Sequence, residues 1–259
     1  LKPYTKTNFG GNWKRDNKKR FSTLMVYVDG TLNTSPISFA RWYDTDGILY
    51  SIPVNSQKPS VTASLTANYT TPLDAKKNWS LTLNGVMAYT SSISYQAKTT
   101  LPGLDKDAFD YSAFMADFWG NADGDRFYGG LSGFGESRTR SFNPYAGFTL
   151  KYNQDHYFIS LEANTQGRIA RYSLDPSINM NTLDTKITAR GSYTTKHEFE
   201  FNTDISYVFY KGYAAGYGDP EWRWYASVSK NIGAFNLSVK VYDILNQTRR
   251  LTHTVTANY

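Results

Sequence analysis

The stretch Glu198-Phe199-Glu200-Phe201-Asn202-Thr203-Asp204-Ile205-Ser206-Tyr207-Val208-Phe209-Tyr210 decides the fold class. In an extended chain Phe199, Phe201, Thr203, Ile205, Tyr207 and Phe209 share one face, while Glu198, Glu200, Asn202, Asp204 and Ser206 share the other. Strict alternation over this length suits a tilted membrane strand of about 9–11 residues. A soluble strand is nearer to roughly 5–6 residues. Phe199 and Phe201 stand at one end of the apolar face and Tyr207 and Phe209 at the other, with Thr203 and Ile205 between. Aromatic residues at both ends are what the two interfaces of a bilayer select.

Working outward, the pattern repeats. Phe235, Leu237, Val239 and Val241 alternate with polar residues, as do Trp222, Trp224, Ala226 and Val228. Leu183 to Tyr193, Tyr157 to Ala163 and Phe142 to Leu150 behave in the same way. Trp79 to Met87 and Val61 to Tyr69 follow further upstream, and the segments near 36–43, 21–28 and 4–13 also read as strands. The template gives about 11 strands and no amphipathic helix of comparable length. Connections alternate between short (near 153–155, 195–197 and 231–234) and long (91–140, 167–182 and 211–220). Short turns at one end and long loops at the other are the layout of an antiparallel transmembrane β-barrel. A soluble β-sandwich, including a carbohydrate-binding one, predicts shorter strands and no such asymmetry.

Composition agrees. The 259 residues carry a net charge of +6, 19% charged residues, 16% aromatic residues and no cysteine. The missing cysteine excludes disulfide scaffolds, cysteine nucleophiles and thiolate metal sites. Mean hydropathy is −0.52, and no window approaches the ~20 apolar residues of a membrane helix. That leaves a barrel open, because alternating strands average out as hydrophilic. The positive charge is scattered, so nucleic-acid binding is not expected.

The polar face would line a lumen through Lys186, Arg190, Glu198, Glu200, Asp204 and Arg223. Its signs are mixed, which points to cross-strand pairing, such as Arg190 against the Glu200–Asp204 strand, rather than to an ion filter. Segment 91–140 exceeds an ordinary connector. Its Asp117, Phe118, Trp119, Asn121, Phe127 and Tyr128 combine aromatics with amide and carboxylate groups. Such residues can stack a sugar or hold a peptide at an outer loop, or they can pack the loop on itself. Asp44–Gly47 and Asn121–Asp125 lack the spacing and the distal Glu of a calcium loop, and they read as turns. The three histidines form no catalytic or metal-binding pattern, so no catalytic residue, metal or cofactor is assigned and an enzyme is not expected. The basic stretches at 15–20 and 249–250 are expected at the long-loop end as solvated charge, with contact to anionic lipid as the alternative.

Val239-Lys240-Val241-Tyr242-Asp243-Ile244-Leu245-Asn246-Gln247, followed by Thr254-Val255-Thr256-Ala257-Asn258-Tyr259, resembles the penultimate strand and last outer loop of TonB-dependent-receptor-like outer membrane β-barrels of the Bacteroidetes type. Weaker likenesses, counting through their order, are Leu1–Tyr4, Trp42–Gly47 with Tyr50–Asn55, Thr71–Asp74, and Phe209–Tyr213 with Gly218–Glu221. The resemblance implies the C-terminal half of a barrel of about 22 strands, with the plug and the closing strand outside residues 1–259. Such a piece should not close alone, since lipid does not tolerate open edges. It further implies a receptor or transporter in the outer membrane of a Gram-negative bacterium. Its implied partners are outer membrane lipid, the TonB system through the missing N-terminal region, and in some relatives a surface lipoprotein. The alternative is a barrel that does not transport: a channel, an adhesin or an assembly component.

Overall fold

The structure is a computed structural model that describes residues 1, 3–104, 109–119, 133–213 and 218–247. Among the described residues it is all-β, with one short α-helix and a single 3-10 turn at Pro176–Ile178. The elements in chain order are β1 (Thr5–Asn17), β2 (Ser22–Thr34), β3 (Ile37–Tyr43), β4 (Leu49–Asn55), β5 (Ser60–Pro72), β6 (Trp79–Ala97), α1 (Tyr111–Trp119), β7 (Phe134–Gln154), β8 (Tyr157–Tyr172), β9 (Met180–Thr194), β10 (Phe199–Lys211), β11 (Glu221–Ile232) and β12 (Phe235–Val241). All the strands belong to one 12-stranded sheet. Its main path is the antiparallel wall β1-β2-β5-β6-β7-β8-β9-β10-β11-β12, and β3 and β4 lie off that path. β1 and β12 stand at opposite ends of the path, so the sheet is open rather than closed into a barrel.

Register explains why these residues form a wall. Leu24, Tyr69, Leu83, Phe148, Ala163, Ile187, Tyr207 and Trp222 are successive cross-strand partners from β2 to β11. One residue along each strand runs a second row: Asp16, Thr23, Thr70, Thr82, Thr149, Glu162, Thr188, Ser206 and Arg223. Every member of the first row is apolar or aromatic, and every member of the second is polar. A slip of one residue in any strand would break both rows at once, so the alternation itself fixes the register.

Burial runs opposite to that of a water-soluble sheet. Met87 is 56% exposed, Phe201 48% and Leu161 43%, while Ser160, Thr188 and Ser206 on the polar face are each 1% exposed. A single layer hides one face more than the other by curling toward it, and here the hidden face is the polar one. Among the described residues no second sheet covers the apolar face.

The connections also alternate. Segments 18–21, 73–78, 155–156, 195–198 and 233–234 are short and share one end of the wall. Segments 35–59, 98–133, 173–179 and 212–220 share the other. The long connections are tighter than the sequence suggests, because β6 and β7 run to Ala97 and back from Phe134, and β8 and β9 meet across 173–179. Gly212 opens one long connection at φ 84°, and a Cβ there would sit 1.8 Å from the Asn181 carbonyl oxygen. Gly212→Ala should therefore cost about 1–3 kcal/mol, read as a lower denaturation midpoint of the full-length protein.

Two expectations change. The segment near 36–43 is not a wall strand. It is β3, which forms a hairpin with β4 and joins the wall's ladder through a short parallel pairing of Ala40 and Arg41 with Tyr95 and Gln96 of β6. The wall therefore has ten strands. Removing one strand from the count reverses the polarity of everything before it. The basic stretch 15–20 consequently lies at the short-turn end, where Asn17 Oδ1 accepts hydrogen bonds from the Lys19 and Arg20 amides. The second basic stretch, 249–250, lies outside the described residues.

Candidate functional site

The polar face concentrates its charge on β8–β11. Arg190 on β9 faces Asp204 on β10, its register partner, and donates from Nε to Asp204 Oδ2 at 2.7 Å. Its Nη1 donates to Glu162 of β8 at 2.5 Å. Beneath lie Thr188 and Ser206, whose hydroxyls are 3.1 Å apart, and Ser206 also donates to Asp204. The cation is thus shared between two carboxylates on the strands either side of it, as the alternation of signs implied. Arg223 pairs with Glu221 two residues away on the same strand and face. Glu200 accepts from Asn202 Nδ2 at 3.1 Å. Lys186 is an exposed member of the same face. Glu198 is not. It closes the turn 195–198 at φ 61°, with its amide donating to the Thr195 carbonyl, so it stands at the rim, one residue before β10.

Beside Arg190 the polar face opens into a groove of about 320 Å³, lined among others by Phe158, Arg190, Asn202, Asp204, Tyr225 and Lys240. Tyr242 completes it, edge-on to Tyr225 with ring centroids 5.8 Å apart. Charges of both signs beside two phenol rings can hold a polar, uncharged or zwitterionic group by hydrogen bonds and ring contact. Tyr225 and Lys240 were visible in the sequence as polar-face positions. Their convergence with Phe158 was not, because it depends on the register of five strands.

The chain leaves β12 through Tyr242-Asp243-Ile244-Leu245-Asn246-Gln247 in a tight turn. Asp243 and Asn246 adopt φ 50° and 51°, a conformation that Asp and Asn tolerate. Asp243 Oδ1 accepts from the Gln247 amide at 3.0 Å, and the Ile244 amide donates to the Trp224 carbonyl at 3.0 Å. The segment therefore docks back on β11.

A second structure stands at the long-loop end. Ala40 and Trp42 of β3, Val54 of β4, Ile93 and Tyr95 of β6, Phe134 of β7, and Phe114 and Phe118 of α1 form a buried core. Trp42 stacks on Tyr50 at 5.4 Å and on Phe114 at 6.1 Å, and its Nε1 donates to the Pro102 carbonyl at 3.1 Å. Asp110 caps α1 through the Ser112 and Ala113 amides. Asp44 Oδ1 accepts from the Asp46 and Ile48 amides, and Gly47 follows at φ 78°, so Asp44–Gly47 is a turn as its composition indicated. Burial, and then the hydrogen bond to Asp44, hold the Tyr50 hydroxyl above the usual phenol range. Residues 93, 95 and 134 continue the apolar face in register, so the cap packs against that face of the β6–β7 hairpin and not across the polar face.

Phe118 is 1% exposed inside this core. It packs the loop on itself and is not presented to a ligand. Asp117 and Trp119 lie on α1, and Asn121, Phe127, Tyr128 and the segment 121–125 lie outside the described residues. His156 and His197 sit in two short turns, and His253 lies outside the described residues. Among the described residues no group of three His, Asp or Glu could hold a metal ion, and no helix is long and apolar enough to cross a membrane. No protein-family model, curated protein or solved structure matches the chain.

Proposed function

We propose that this chain is part of the wall of an outer membrane β-barrel in a Gram-negative bacterium, of the TonB-dependent receptor kind, which captures a ligand at its long-loop end and takes it up through the lumen. One observation carries the membrane reading: the paired register rows place an exposed apolar surface on one face and buried hydroxyls and ion pairs on the other. In water that arrangement is unfavourable, since each apolar Å² left exposed forgoes about 25 cal/mol. In lipid it is what a lumen-lining wall requires. Further support comes from polar atoms without partners among the described residues: Asn33 Oδ1, Ser160 Oγ, Asp184 Oδ1 and Arg223 Nε, all on the polar face. A wet or plugged lumen would satisfy them. The open edges of β1 and β12 call for further strands to complete a closed wall. The uptake part of the reading rests on the likeness of Val239–Gln247 to the last strands of that receptor family.

Fractionation of the native full-length protein tests the reading. It should be found with the outer membrane and migrate faster on a gel unheated than boiled. A soluble, heat-insensitive species would return the chain to the class of soluble β proteins. Binding of the purified periplasmic domain of TonB to the full-length protein in detergent then separates a receptor from a passive barrel.

A further inference from the structure

Two further features mark the apolar face, one on β7 and β8 and one spread over β5 to β9. The first is a pair of arginines. Arg140 of β7 and Arg171 of β8 are direct register partners, both exposed, on the face that carries Phe148 and Leu161. Arg138 lies two residues further along β7 on the same face. Like charges directly opposite each other in a sheet are destabilising unless an anion joins them. Arg171 is held in place by the Ala170 and Met180 carbonyls and by Asn181 Oδ1, all uncharged acceptors. Among the described residues none of the three arginines makes an ion pair. Two acids at this end are engaged elsewhere, Glu136 by Lys58 at 2.7 Å and Asp175 by Ser177.

The second feature is a groove of about 350 Å³ on the same face, floored by Gly85, Ala146, Thr165 and Gly167 and walled by Met87 and Pro144. Tyr89, Phe142 and Ile169, successive register partners, separate it from the arginines. Pro144 is four residues from Arg140 along β7 and Ala146 is six, or roughly 13–20 Å at about 3.3 Å per residue. The order along the two strands is therefore cations, aromatic row, apolar groove. A phosphorylated lipid carries its anionic group at one end and its acyl chains beyond it, and an extended chain is long enough to pass the aromatic row and reach the groove.

We infer that Arg138, Arg140 and Arg171 bind the phosphate of a membrane lipid whose acyl chain lies in the Ala146–Thr165 groove, at the long-loop end of the wall. The inference rests on the membrane reading above, and it names a lipid partner that the reading alone does not specify. Guanidinium groups suit this task because they offer paired donors to phosphate oxygens and keep their charge at an interface. The surface is turned away from the polar face, so the lipid would brace the cap and the β6–β7–β8 hairpins without obstructing the lumen.

The test uses the full-length protein in neutral detergent with three probes: bisphosphorylated lipid A, the same lipid dephosphorylated, and inorganic phosphate. The protein should bind the bisphosphorylated lipid at least about tenfold more tightly than the R140Q/R171Q variant does, as expected for the loss of charge-assisted hydrogen bonds. Both proteins should bind the dephosphorylated lipid equally and weakly. A146W, which fills the groove and leaves the arginines alone, should also weaken lipid binding and keeps the test sound should the double variant not fold. Equal affinity of wild type and both variants on a heat-modifiable barrel overturns the site and leaves the barrel standing. Full competition by inorganic phosphate overturns the lipid source. A full-length protein that needs no detergent overturns the barrel reading, and the lipid site falls with it.

Discussion

Ile205→Arg should destabilise the full-length protein by roughly 2–4 kcal/mol in lipid or micelles, the cost of a cation on the lipid side near mid-strand. Ile205 lies between Ala189 and Trp224 on the apolar face of β10, one row from the Tyr207 belt. A half-exposed isoleucine on a soluble sheet would tolerate the same change far better, because the long arginine stem could reach water. The neighbouring change Asp204→Asn supplies the control. The amide oxygen still accepts from Arg190 Nε, the new NH2 can donate to the Ser206 hydroxyl, and Glu162 remains to hold the cation. The cost of this change should stay within about 1 kcal/mol, since Arg190 and Asp204 are both partly open to solvent. Urea unfolding of the two variants side by side measures the contrast, and equal losses would contradict the assignment of faces.

Trp42→Ala should cost the cap about 3–5 kcal/mol, the range for removing a buried tryptophan. Trp42 is 1% exposed and joins β3, β4, α1 and β7 through ring contacts and one hydrogen bond. Among the described residues the cap meets the wall through the ends of β6 and β7 and the short parallel pairing of β3. The loss should therefore be local. Limited proteolysis should gain cuts within 98–133 and within 44–48, while the unfolding midpoint of the wall stays close to wild type. A parallel fall of both would show that the cap and wall form one cooperative unit.

Much of the wall was legible in the sequence because a two-residue period is a local signal. Phe199 to Phe209 declares its face without knowledge of any partner, and the wall strands from β5 onward repeat that declaration, whereas β1 and β2 leave their face ambiguous in sequence. The Arg190–Asp204 pair was legible for the same reason: adjacent strands carried opposite charges at matching heights. The hairpin was not legible. Residues 37–43 read as a strand of ambiguous face, and only tertiary pairing shows that they join the ladder through two residues at the tip of β6. Counting them as wall reversed the ends of the molecule for everything upstream and misplaced the stretch 15–20. The cap escaped notice because its core assembles from segments that are distant in sequence and individually short. Phe118, with an acid before it and an amide after it, resembles a ligand-facing aromatic. Its burial depends on Tyr95 and Phe134, which no local pattern links to it. Glu198 looked like the first residue of a strand face, and its positive φ, the mark of a turn, has no signature in alternation alone.

The most direct test of the central claim is a spin-label scan of β10. The chain has no cysteine, so single cysteines at 203 to 208 in the full-length protein can be labelled without background. In a lipid bilayer, labels at 203, 205 and 207 should collide preferentially with oxygen dissolved in the hydrocarbon. Labels at 204, 206 and 208 should collide with a water-soluble nickel complex or be shielded from both. A two-residue period in that phase would establish apolar-out, polar-in alternation in a membrane. The opposite phase, or uniform access of the nickel complex to all six sites, would contradict it.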